Sequence, residues 1–494
     1  MRLSRTIVAC SLACCFALTP CAGFTTSEPA AAPVGNVSVW VTSPDRDQLL
    51  AQHPDIAFED DGPTATPSNV QVDPGQRFQE IDGFGGALTD SSAWLISTGL
   101  SAEMHRRVMH DLFDPQAGIG LSYVRIAIGA SDFAREHYTY DDLTSGQTDP
   151  GLAGFSIEHD RAYIVPVLKE ALVLNPRLHI LASPWSPPAW MKLPPTLFGG
   201  TLNPAWYATY ADYLIRFIRA YEHEGIPIAA ITVQNEPHYA TPDYPGMYLD
   251  APAATTFVRD YLGPAFVRAG LTTQILVWDH DWDEPDYPLS VLGDPGARAY
   301  VAGSAFHCYN GESTSQTEVH DAYPDKDIYL TECSGYDPVE FGADLSRVVR
   351  DVIIGGTRNW ARAVLLWNLV LDPHDGPHTG GCTSCTPLIT VGGPTQVSYG
   401  PEYYALGHVS RFVLPGARRI EATSNDPGLD IAAFVNVDAS IVLLAQNTDL
   451  AERSVVVRCG TQRFATILAA GALGSFIWPG AACPPGTRSA TPAS

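Results

Sequence analysis

An α/β fold, a (β/α)₈ barrel with an all-β sandwich side domain formed from the N- and C-terminal segments, is what the sequence predicts. Three observations carry this. Short apolar runs recur eight times between residues 80 and 369, most of them followed by a helix-like stretch. Such regular strand–helix alternation points to a closed parallel barrel. After about residue 411 helical patterns stop, and segments such as DIAAFVNV, SIVLLAQN and SVVVRC alternate as half-buried strands do. Near the other end VSVWVTS (37–43) reads the same way, so the barrel is expected to be inserted into the β domain.

In chain order, Arg2 and Arg5 precede an apolar run from Ile7 to Leu18, the layout of a secretory signal over residues 1–24. Leu18-Thr19-Pro20-Cys21 is a rough lipobox, so a lipid anchor at Cys21 stands beside plain export as an expectation. Residues 25–35, containing SEPAAAPVG, read as a linker. The N-terminal part of the β domain is then assigned to 36–75, the barrel to 76–410, the C-terminal sandwich to 411–482 and a tail to 483–494. The eight barrel runs are EIDGFG (80–85), SYVRIAIG (122–129), HILASPW (179–185), AAITVQNE (229–236), QILVWDH (274–280), SAFHCY (304–309), DIYLTEC (327–333) and RAVLLWNL (362–369).

The formal charge of −25 argues against electrostatic binding of nucleic acid or anionic membrane. No stretch is expected to span a membrane in the mature chain. Of ten cysteines, four belong to the leader. The remaining even number permits disulfides in an exported protein. Cys382 and Cys385 lack a second metal-ligand pair and are read as a loop-stiffening disulfide, and Cys459 pairs with Cys483 if anything does. Cys308 and Cys333 fall on adjacent strands facing the helices, where buried free thiols are expected.

In such barrels catalytic groups lie at the C-terminal ends of strands. The fourth run ends in Asn235-Glu236 and the seventh in Thr331-Glu332. The other runs end near Asp90, Trp185, His307, Tyr309, Trp367 and Asn368. A single Glu at a strand end is ordinarily solvated or ion-paired. Two of them ringed by aromatic and amide side chains suit glycoside hydrolysis, in which two carboxyls straddle the scissile bond and sugar faces stack on aromatics. Strand alternation would send Asn235 and Glu236 to opposite faces. Both face a sugar only if the strand bulges or stops there, and Pro237 enforces such a stop.

ITVQNEP (231–237), GFGGALTDSSA (83–93), ASPWSPPAWMK (182–192), AFHCYNG (305–311), LTECSG (330–335), LLWNLVLD (365–372) and YYALGHVSRFVLPGARRI (403–420) together resemble glycoside hydrolase family 30, in particular its glucosylceramidase-like branch and that branch's bacterial members. The resemblance runs from about residue 36 to 480. It implies a retaining β-glycosidase without cofactor or metal, with Glu236 as acid/base and Glu332 as nucleophile. It also implies that Asp90, Trp185, Trp367 and Asn368 bind the terminal glucose and that Asn235 bonds the sugar 2-hydroxyl. His307 and Tyr309 would flank the nucleophile, and Arg125 would be its electrostatic partner. The expected substrate is a β-glucoside, glucosylceramide first. LTECSG is similar to microbial members that include β-1,6-glucanases, which makes that activity the alternative; a non-catalytic carbohydrate-binding barrel is the rival from another class. The loops 129–142, 192–200 and 372–385 are expected to shape the aglycone side.

Three motifs are set aside. GFGGAL lacks the third Gly of a dinucleotide loop, and His223-Glu224 lacks a second His. Asp279, Asp281 and Asp283 imitate a calcium loop, but Glu284 occupies the position that needs Gly.

Overall fold

A computed structural model describes residues 35–60, 67–338 and 340–483. The leader, the lipobox cysteine, nearly all of the linker and the tail beyond Cys483 lie outside the described residues.

All eight expected runs form strands of one closed barrel: β1 (Gly83–Ala87), β2 (Tyr123–Ile128), β3 (His179–Pro184), β4 (Ala230–Thr232), β5 (Gln274–Asp281), β6 (Val301–His307), β7 (Asp327–Glu332) and β8 (Ala361–Leu366). Neighbours pair in parallel, and β8 returns to β1 through Ala363↔Gly83 to Leu366↔Gly86. The inside of the barrel is filled by Tyr123, Leu181, Ala230, Leu276, Ala305, Tyr329, Ala363 and Leu365. Two large phenols set against three alanines fill the interior, so the barrel is solid and its chemistry is confined to its ends. Gly85 is required for closure: a Cβ there would stand 1.7 Å from the Tyr123 carbonyl oxygen on β2.

The β domain is one hydrogen-bonded sheet of ten strands drawn from both chain ends. The N-terminal strand Val37–Thr42 pairs antiparallel with the last strand, Leu473–Pro479. Phe464 and Trp478 belong to strands far apart in that order, yet their rings meet at 5.6 Å. The sheet therefore folds over its own core as a sandwich does. The N-terminal contribution is larger than the expected residues 36–75. Strand Val70–Ile81 crosses that boundary and pairs with Ala417–Ser424 and Arg453–Cys459. Asp73, Pro74 and Gly75 interrupt the strand's register with Ala417–Ser424 without ending it.

Cys382–Cys385 and Cys459–Cys483 are disulfides, as expected. Cys308–Cys333 is also a disulfide, with Cα atoms 5.3 Å apart, against the expectation of free thiols. The alternation that points His307 and Glu332 inward turns both cysteines outward on neighbouring strands, where their separation suits a bridge.

Candidate active site

Strand β4 is only three residues long, and the chain leaves the barrel wall before Asn235. Glu236 has φ 43°, in the left-handed region. Its backbone N–H donates to the Asp279 carbonyl and that of Asn235 to the Pro184 carbonyl. The ladder thus breaks where Pro237 follows, and both side chains turn toward one cavity of about 510 Å³ at the C-terminal mouth.

Glu236, His307 and Glu332 converge, one side-chain polar atom from each lying within 4.8 Å of the others. His307 Nδ1 lies 3.1 Å from Glu236 Oε1 and 3.9 Å from Glu332 Oε1, so the two carboxyls stand on either side of one imidazole nitrogen. Arg125 Nη1 donates to Glu332 Oε2, and the Tyr309 hydroxyl donates to Glu332 Oε1 at 2.9 Å. Arg125 Nη2 donates to Asn235 Oδ1 at 2.7 Å, which leaves the Asn235 amide N–H₂ free to donate into the cavity. Trp185 and Trp367 stack at 5.4 Å, and the Arg125 guanidinium lies 4.9 Å from the Trp185 ring.

Sequence reasoning set Asp279 aside, yet it anchors this cluster. It is fully buried; one oxygen accepts from Arg125 (2.8 Å) and Thr232 (2.7 Å), the other from Thr331 (2.6 Å) and His307 Nε2 (3.1 Å). Burial opposes its charge, but Arg125 and His307 overcome that and hold it below the ordinary carboxylate range. His307 Nδ1 meets Glu236 Oε1 at 3.1 Å. Burial disfavours the imidazolium, but the carboxylates of Glu332, Asp279 and Glu236 outweigh it and raise His307 to about 10. A protonated His307 donates from both nitrogens and offers no lone pair to a metal. The detectable signal for Asp279 was a carboxylate inside an apolar strand, facing an Arg inside another. Asp279→Ala is expected to lower stability by about 3–5 kcal/mol, because it strands two buried cations; urea unfolding would measure this.

Of the predicted site residues, Trp185, Asn235, Glu236, Tyr309, Glu332 and Trp367 line the cavity. Arg125 and His307 sit directly behind, bonded to the carboxylates. Two do not reach it. Asp90 is sealed by Arg135, at 2.9 and 3.0 Å, and by His159 at 3.1 Å. Burial opposes its ionisation, but these partners hold it at about 2. It is an ion-paired brace for the loop after β2. Asn368, joined to Trp367 by a cis peptide, is fully buried beneath the mouth and is not among the lining residues.

Asp132 stands in the cavity instead. Burial and the nearby Glu332 and Glu236 raise its pKa well above the ordinary range, and its carboxyl is placed to bond a sugar hydroxyl. It comes from the loop 129–142, and Gly381 of the loop 372–385 packs on it so closely that a Cβ would lie 2.4 Å from Oδ2. Loop 192–200 stays out of the cavity but braces its rim: Lys192 Nζ donates to Ser186 Oγ and to the Leu197 and Gly246 carbonyls.

A solid (β/α)₈ barrel presenting two facing carboxyls, tryptophans and hydroxyl-bonding groups at its mouth is the frame of a glycoside hydrolase. Residues 81–413 match the Glycosyl hydrolase family 30 TIM-barrel domain and residues 416–476 the Glycosyl hydrolase family 30 beta sandwich domain. The chain belongs to glycosyl hydrolase family 30. Endo-1,6-beta-D-glucanase neg1 of Aspergillus fumigatus is 35% identical over 397 residues, covering 75% of this chain and 79% of that protein. Putative glucosylceramidase 4 of Caenorhabditis elegans is 30% identical over 410 residues, 77% of each chain. The solved structure of the endo-beta1,6-glucanase BT3312 superposes with a TM-score of 0.83 at 30% identity, covering 90% of this chain and 99% of that one. The endo-1,6-glucanase relative matches at higher sequence identity than the glucosylceramidase one.

Proposed function

We propose that the protein is a retaining endo-β-1,6-glucanase. The convergence of Glu236 and Glu332 within one cavity carries the mechanism. Glu332, held by Arg125 and Tyr309, attacks the anomeric carbon. Glu236 protonates the glycosidic oxygen as the C–O bond breaks, and a glycosyl ester forms on Glu332. His307 occupies Glu236 Oε1, so the proton for delivery resides on Oε2. Glu236, now anionic, then deprotonates a water that attacks the same carbon and breaks the ester. Asn235 donates to the 2-hydroxyl, while Asp132, Trp185 and Trp367 hold the sugar being transferred.

The cavity lining supports a glucan. Besides the residues already placed, it includes Tyr239, Asp243, Asp281, Asp283, Glu284 and Asn310. These groups bond hydroxyls and offer aromatic faces, whereas a ceramide leaving group needs an apolar channel. Three disulfides among the described residues fit export to an oxidising compartment. Among the described residues no helix is long and apolar enough to cross a membrane. Hydrolysis of β-1,6-glucan, an aryl β-glucoside and glucosylceramide, followed by product sizing, tests the reading. Mid-chain cleavage of the glucan with little release from glucosylceramide is expected; release from glucosylceramide alone would refute it.

A further inference from the structure

Three residues beyond Glu332, Gly335–Tyr336 pairs antiparallel with Cys385–Thr386, Gly335 opposite Thr386 and Tyr336 opposite Cys385. Tyr336 and Cys385 line the catalytic cavity, so this two-stranded clamp is part of its wall. Behind the clamp lie two carboxyls that the mechanism does not use. Glu402 is in the first turn of the helix Pro401–Ser410, Asp344 is in the helix Phe341–Arg347, and both are buried. The backbone of Gly335 presses on both: a Cβ there would stand 1.9 Å from Glu402 Oε1, 2.3 Å from Thr386 Oγ1 and 2.7 Å from Asp344 Oδ2. The Thr386 hydroxyl donates to Glu402 Oε1, while Glu402 Oε2 has no hydrogen-bond partner other than what Asp344 offers. Arg347 donates to Asp344 Oδ1 at 3.0 and 3.1 Å and to the Ser334 carbonyl at 2.6 Å, next to the clamp.

We propose that Glu402 and Asp344 share a proton, that this neutralised pair positions the clamp and so its substrate-facing Tyr336 and Cys385, and that loss of the proton loosens the wall.

The charges decide the state of the pair. Two carboxylates crowded on one glycine cannot both ionise without strong repulsion. Arg347 neutralises Asp344 from its far oxygen, which leaves Glu402 to hold the proton. The groups facing Glu402 are Asp344 and, beyond it, Arg347 from one helix, the Thr386 hydroxyl from the clamp, and the N-terminal backbone of its own helix. The last two favour the anion, but burial and the charge of Asp344 outweigh them and raise Glu402 to about 8. Below that the shared proton bonds the two side chains. Above it the repulsion falls on Gly335 and Thr386, which have no slack.

The inference uses the proposed glucanase activity for its kinetic readout. Wild-type KM for β-1,6-glucan is expected to rise about threefold or more from pH 6.5 to 9, separately from any loss of kcat through Glu236. Glu402→Gln, which keeps a donor toward Asp344 at every pH, is expected to show a flat KM and near-normal activity at pH 6. Coincident KM profiles for the two proteins would overturn the proposal. A second readout needs no activity. Glu402 holds its proton more tightly folded than unfolded, so its stabilising contribution is complete below about pH 4.5 and lost as pH rises through about 8. The Tm of the Gln variant should therefore pull ahead of wild type from about pH 4.5 to 8 and gain nothing further above. A gap that is constant with pH would also overturn the proposal. If no β-glucoside is hydrolysed at any pH, the functional reading fails and the Tm gap still decides the pair. Should Glu402→Gln not fold, Asp344→Asn removes the repulsion from the other side and is expected to flatten KM equally.

Discussion

Glu332→Gln is expected to lower kcat/KM on every β-glucoside by about 10⁴-fold or more, as loss of a nucleophile does in enzymes working by covalent intermediates. Glutamine keeps the size of the side chain and an oxygen for the Tyr309 hydroxyl, but its amide cannot form the ester. Its N–H₂ also opposes Arg125 Nη1, donor against donor. Asp279 continues to hold Arg125 from the other side at 2.8 Å, so the variant should fold and its Tm should stay close to wild type. Steady-state kinetics with a thermal melt checks both halves. A variant that retains more than a few per cent of activity would remove Glu332 from the nucleophile's role.

Glu236→Gln is expected to act differently, and the difference identifies its role. General acid catalysis contributes about 10²–10⁴-fold, and it matters most when the leaving group is a poor one. Cleavage of β-1,6-glucan, whose leaving group is a sugar alkoxide, should fall by about 10³-fold. A dinitrophenyl β-glucoside leaves without protonation, so its first step should be nearly unaffected. The second step still lacks its base, so the glycosyl-enzyme should accumulate as a burst of dinitrophenol followed by slow turnover. Stopped-flow absorbance on both variants separates the cases. Equal loss on both substrates would mean that Glu236 is not the acid.

The barrel was readable because its strands are short apolar runs in an eightfold rhythm, most of them giving way to polar or aromatic residues at the catalytic end. The pair of carboxylates was readable for the same reason. Asp90 misled because it stands next to the end of β1 in sequence; which way its carboxylate turns depends on Arg135, brought by a loop whose path no periodicity reports, and on His159 in the short helix Glu158–Arg161. Asp132 comes from that same loop. Asp279 escaped for a different reason. Trp278 and Asp279 have φ of 78° and 62°, and the pairing of β5 with β6 shifts register between Trp278 and His280. Strict alternation therefore cannot say where Asp279 points. The Glu402–Asp344 pair joins residues 58 positions apart on two helices, and only the closeness of both to Gly335 brings it to light.

The most direct test of the proposed chemistry is to incubate the protein with a 2-deoxy-2-fluoro-β-glucosyl donor bearing a good leaving group, digest it, and map the modified peptide by mass. The fluorine slows both steps by destabilising positive charge at the anomeric carbon, and the activated leaving group restores only the first, so the ester persists. One fluoroglucosyl adduct per chain on the peptide holding Glu332, absent in Glu332→Gln, is the predicted result. A donor that is consumed without any adduct, or an adduct on another carboxylate, would contradict the assignment of a retaining mechanism through Glu332.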